Sequence, residues 1–133
     1  MAIILDADVI IKGERSSFDL IGWLDSQTDH ELEIAAITVA ELWHGVERAT
    51  ALHRTKRERY LSTIIEKLQR IPYTETTALV HARIWASLES SGHMISAHDL
   101  ILAATALERG SVIATFNQRH FSQVPGLKVI VPA

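Results

Sequence analysis

The chain contains no cysteine. Disulfides, thiolate metal centres and cysteine nucleophiles are thereby excluded, and a reducing cytoplasm is the expected setting. Proline and glycine are scarce, with three and six residues, and both are scattered as punctuation. No linker, low-complexity tract or glycine-rich phosphate loop can be built from them. No apolar stretch approaches the ~20 residues needed to span a bilayer, so no membrane association is expected. The first apolar run is interrupted by acids and preceded by no basic leader, which does not fit a signal peptide. Positive charge is not in excess either. The net charge of −3 does not describe a generally basic nucleic-acid binder.

What remains is ordinary globular material. Of the 133 residues, 47% are hydrophobic and 22% charged, which suits one domain over residues 1–133 with one core. Charge is unevenly placed. Between residues 48 and 59, Arg48, Arg54, Lys56, Arg57 and Arg59 face only Glu58, a local +4 that leaves −7 on the rest. Such a chain can hold cations in one place and a polyanion in another. A solvated helix start explains the same run.

Apolar runs mark five strands, at Ile3–Asp6, Ile34–Ile37, Arg70–Tyr73, Val112–Thr115 and Val129–Val131. Between them lie helical patterns. A short one surrounds Phe18–Leu24, one starts at Thr38, one covers Thr55–Leu68, one Thr76–Ser91, and one runs from Ser96 to a glycine stop at Gly110. The strands are continuous apolar runs, as in a parallel sheet buried on both faces. The expected fold is α/β, a three-layer α/β/α sandwich with a mainly parallel central sheet.

On that fold, strand C-termini and the helix starts that follow them share one edge. Asp6 ends the first strand, Glu41 lies early in the helix after the second, Asp99 opens the helix after Ser96, and Asn117 follows the fourth strand. Positions 35, 58 and 18 residues apart could therefore converge. Each has a plainer explanation. Thr38 and Glu41, and Ser96 and Asp99, match helix capping boxes, and Asn117 is a turn former. Asp6 is harder to dismiss, because an acid directly after Ile-Ile-Leu is partly desolvated and needs a partner. Asp8 could face the same site or cap the segment Val9–Lys12. If the carboxylates meet, their repulsion is relieved by a hard divalent cation, Mg2+ or Mn2+. The chemistry that follows is hydrolysis of a phosphodiester.

The stretches ILDADVII, AAITVAELWHGVERA, SAHDLILAATALERG and IATFNQRHF with QVPGLKV resemble the PIN-domain ribonucleases, and more narrowly the VapC-type toxins of prokaryotic toxin–antitoxin pairs. The likeness covers almost the whole chain in the right order. It implies a Mg2+-dependent endoribonuclease that cuts RNA with metal-activated water, the toxin of a type II pair, usually a homodimer and silenced by a VapB-type antitoxin. It further implies that Asp6 and Asp99 are the main metal ligands, that Glu41 binds a second ion or its water, and that Asn117 stands at the fourth catalytic position. The sequence departs from the pattern three residues after Asn117, where His120 replaces an acid. One tight ion, with a weaker second recruited by substrate, is the corresponding expectation.

Two other functions compete. Asp6 as nucleophile with Asp8 as general acid would suit an aspartyl-phosphate phosphatase, but no lysine or late acidic pair falls where that chemistry needs it. A non-catalytic protein-binding domain would use the acids only as caps. Trp23, Trp43 and Trp85 all sit in apolar helical patterns and are expected in the core or an interface, with Trp43 the candidate for a dimer contact.

Overall fold

The computed structural model describes residues 1–133. β1 (Ala2–Leu5) leads into α1 (Ala7–Glu14) and α2 (Leu20–Ser26). β2 (Glu31–Ala35) is followed by α3 (Ala36–Glu47) and α4 (Ala51–Glu66). β3 (Gln69–Ile71) precedes α5 (Glu75–Ser91) and α6 (Ala97–Arg109), and β4 (Val112–Ala114), α7 (Gln118–Phe121) and β5 (Val129–Ile130) complete the chain. The five strands form one sheet in the order β3-β2-β1-β4-β5, with every pairing parallel. The expected α/β/α sandwich is the fold observed.

Strand alternation sorts the core into two layers. Ile3 and Leu5 point into a cluster with Val9 and Ile10 of α1, Leu20 and Trp23 of α2, and Leu61 and Ile64 of α4. Ile4 points the other way, into a cluster with Ile84 and Leu88 of α5 and Leu102, Ala103 and Ala106 of α6. The small residues of α6 let it lie close against the sheet, which is why its sequence is apolar almost all round.

Helix ends follow local chemistry. Ser96 caps α6 through its side chain at 3.1 Å from the Asp99 N–H, and Gly110 ends that helix in the left-handed conformation at φ 69°. Two expected caps differ. The cap of α1 is Asp6, whose Oδ1 accepts from the Ala7 N–H at 2.8 Å, and Asp8 lies in the first turn. α3 begins at Ala36 with no side-chain cap, so Thr38 is a buried residue of its first turn and no capping box joins it to Glu41. Of the tryptophans, Trp23 is core, Trp43 is half-buried, and Trp85 is 50% exposed, stacked on His81 instead of in the core.

α1 packs tightly at Gly13. A Cβ there would stand 2.6 Å from the Leu20 Cβ and 2.7 Å from the Tyr60 hydroxyl. Gly13→Ala is expected to cost about 1–3 kcal/mol through overpacking, read as a lower urea midpoint with an unchanged slope. A stability gain would show that α1 can shift freely.

Candidate active site

The chain passes from β1 to β2 and β3 on one side, then returns through β4 on the other. β1 and β4 are therefore neighbours at a topological switch point, where α/β folds leave a crevice beyond the strand ends. Asp6 sits at that point, its backbone N–H continuing the ladder to the Ala114 carbonyl at 3.0 Å. Its side chain is only 7% exposed. Oδ1 is held by the Ala7 N–H, and Oδ2 accepts from the Thr115 hydroxyl at 2.8 Å.

Asp8 reaches across from the first turn of α1 to the turn after β4. Its Oδ2 accepts from the Phe116 N–H at 3.0 Å and from the Asn117 side-chain amide at 2.9 Å. Asn117 in turn donates its backbone N–H to the Thr115 hydroxyl at 3.0 Å. Thr115, fully buried, thus ties Asp6 to the loop carrying Asn117. Nothing in the sequence marked Thr115, because a threonine ending a strand is ordinary.

Asp99 and Glu41 complete the acidic edge. Asp99 lies in the first turn of α6 and Glu41 in the second turn of α3. Each leans on a histidine: His120 Nδ1 is 3.1 Å from Asp99 Oδ2, and His98 Nδ1 is 3.8 Å from Glu41 Oε2. His120, three residues after Asn117, therefore faces the acidic edge.

The electrostatics show that the four acids share a neighbourhood. Burial, with the charges of Asp8 and Asp99 adding to it, pushes the Asp6 carboxyl from the usual 3.8 up to about 6. Asp8 is raised by burial. Glu41 is raised by burial and further by the charge of Asp99. No lysine or arginine forms an ion pair with any of them.

A set of half-buried, unneutralised oxygen donors has the chemistry a hard divalent cation requires, with waters filling the remaining positions. As they stand, no three acidic or histidine side chains are arranged to hold an ion. The donors fit such an ion by charge and type.

A parallel α/β/α sandwich whose switch-point carboxylates form no ion pair with lysine or arginine defines a class of protein suited to cation-assisted chemistry at an acidic edge. The chain belongs to the PIN domain family, which it matches over residues 3–127, and within that family to the VapC-type proteins. It is 31% identical to Ribonuclease VapC of Rickettsia bellii across 98% of this chain and 96% of that one. The fold superposes on VapBC2 of Rickettsia felis bound to a promoter DNA fragment, with a TM-score of 0.92, 20% identity and full coverage of both chains. It also superposes on VapBC-5 of Mycobacterium tuberculosis, a member of the VapBC family of toxin-antitoxin systems. There the TM-score is 0.74 and the identity 25%, over 98% of this chain and 97% of the other.

Proposed function

We propose that this chain is a metal-dependent endoribonuclease, the toxin of a type II toxin–antitoxin pair, acting in the cytoplasm as a homodimer and silenced by a VapB-type antitoxin. Family membership supports the activity, and the likeness to a VapBC toxin-antitoxin structure supports the partner. The observation that carries the reading is that the Asp6 carboxyl lies within the charge field of Asp8 and Asp99, and Glu41 within that of Asp99, while no lysine or arginine forms an ion pair with any of the four.

Asp6 and Asp99 would hold Mg2+, with Mn2+ able to substitute, and Glu41 would hold a second ion or a water. When bound, the ion supplies positive charge to a phosphoryl oxygen and acidifies water. The residues of the chain do the rest. Thr115 fixes the Asp6 carboxylate by donating to Oδ2, and the Ala7 N–H fixes Oδ1. Asp8 holds the turn after β4. With its Oδ2 occupied by two donors, it pins the loop that presents Asn117. Asn117 is exposed, leaving its amide oxygen able to meet substrate. Trp43, half-buried beside Leu42 on α3, is the proposed dimer contact.

Thermal unfolding with and without millimolar Mg2+ tests the site. At a hundredfold excess over its dissociation constant, the ion stabilises by about 2.7 kcal/mol, and Asp99→Asn removes that gain together with RNA cleavage. A melting temperature indifferent to Mg2+ in the unsubstituted protein would count against the reading.

A further inference from the structure

The basic stretch of α4 takes no part in the acidic site, but two of its cations turn toward the helix that leads out of it. His53, Lys56, Arg57 and Tyr60 recur at helical spacing and share one face of α4. With Glu14 and Arg15 at the end of α1 they line an open cleft of about 260 Å³. The cleft is built, not incidental. The Tyr60 hydroxyl donates to the Ile10 carbonyl at 3.0 Å, and Gly13 leaves room for that hydroxyl. Glu14 is the one carboxylate in the lining, and it is engaged by Arg57 at 3.4 Å, which also donates to the Gly45 carbonyl. Arg15 and Lys56 are exposed and form no ion pair. The cleft is therefore net cationic.

α1 connects it to the acids. Asp8, Lys12 and Arg15 stand at i, i+4 and i+7, along one face of that helix. The Lys12 ammonium lies 4.4 Å from the ring centre of Phe116, whose N–H is bonded to Asp8. At a rise of about 1.5 Å per residue, Arg15 is roughly 10 Å beyond Asp8, or about three phosphates of a stacked strand at ~3.4 Å each.

Resting on the ribonuclease reading, we propose that the α1–α4 cleft is a second contact for the RNA strand, gripping backbone phosphate about three nucleotides from the acids through Arg15 and Lys56, with Lys12 on the path between. A polyanion brought to an acidic edge needs such a counterweight, and single-stranded RNA is complementary to this cleft in charge.

The test is the double charge reversal R15E/K56E against R83E/K128E, an equal charge change at exposed positions outside the cleft. Binding of a fluorescein-labelled twelve-nucleotide single-stranded RNA is followed by anisotropy in full-length Asp99→Asn protein with Mg2+. R15E/K56E is expected to weaken binding about tenfold or more and to lower the salt slope by about 1.4, at ~0.7 for each phosphate no longer neutralised. R83E/K128E should change neither by more than about twofold. In the cleavage-competent protein, R15E/K56E should raise KM with little change in kcat. Equal behaviour of the two double variants overturns the proposal. So does weakened antitoxin binding with RNA affinity intact, which would assign the cleft to a protein partner. The ribonuclease reading fails separately, if the unsubstituted protein cuts no RNA in Mg2+.

Discussion

Asp6→Asn is expected to abolish RNA cleavage and at the same time to stabilise the metal-free protein. The loss of activity follows from the loss of a ligand charge. Several kcal/mol of charge stabilisation disappear with it, about 10³-fold or more in rate. The gain in stability follows from linkage. Burial beside Asp8 and Asp99 raises the folded carboxyl to about 6, whereas the unfolded chain ionises near 3.8. The folded state therefore binds the proton more tightly. Stability of the metal-free protein falls as pH rises from about 4 to about 6, then levels off above about 7. At about 1.36 kcal/mol per pKa unit, the cost at neutral pH is roughly 3 kcal/mol. Asparagine removes that cost while its amide oxygen still caps α1, so a net gain of about 2 kcal/mol, or about 5–10 °C, is expected at pH 8. At pH 4 the two proteins should melt alike. Calorimetry in EDTA across pH 4–8 checks this, and a destabilised Asp6→Asn at pH 8 would mean that the carboxylate is needed for the fold itself.

The same residue shows why part of the site was readable in the sequence. An acid directly after Ile3-Ile4-Leu5 has no polar neighbour to excuse it, so its burial was predictable from adjacent residues alone. Asp99 was readable because Ser96 announces the helix start, and the structure keeps both the cap and the acid at the edge. Thr115 was not readable. Its role is to join Asp6, 109 residues away, to the Asn117 loop, and no local pattern encodes a contact of that range. The strands show the same limit. β1 and β4 fall within about a residue of the predicted runs, because their side chains are apolar on both faces. β2 is predicted three residues late. The apolar run Ile34–Ile37 suggested a strand there, but the ladder occupies Glu31–Ala35 and carries Glu33 into the interior. α4 starts at Ala51, four residues before its prediction, because its first turn is solvent-facing, Leu52 included, and so carries no apolar period.

Glu33 leads to the second large effect. It is fully buried, and its compensation comes from the far end of α6. The Arg109 guanidinium donates from Nε to Glu33 Oε2 at 2.9 Å and again from Nη2, while the Ser111 hydroxyl donates to Oε1 at 2.6 Å. The carboxylate holds the arginine proton more firmly in return, raising the Arg109 pKa. Breaking one side of such a pair strands a buried charge, so Arg109→Met is expected to cost about 3–5 kcal/mol, or about 10–20 °C. Arg109→Lys, which loses the two-pronged contact but keeps the charge, should fall between. Removing the whole group tests the cause. Glu33→Met, Arg109→Met and Ser111→Ala together leave no unpaired charge or hydroxyl, and methionine fills the space without a fixed shape. That triple variant should recover to within about 1.5 kcal/mol of the natural sequence. Since Glu33 pairs with no acid of the active edge, Mg2+-induced stabilisation should survive in the triple variant. If the triple variant is no more stable than Arg109→Met, the loss comes from packing at Arg109 and not from the stranded Glu33 charge.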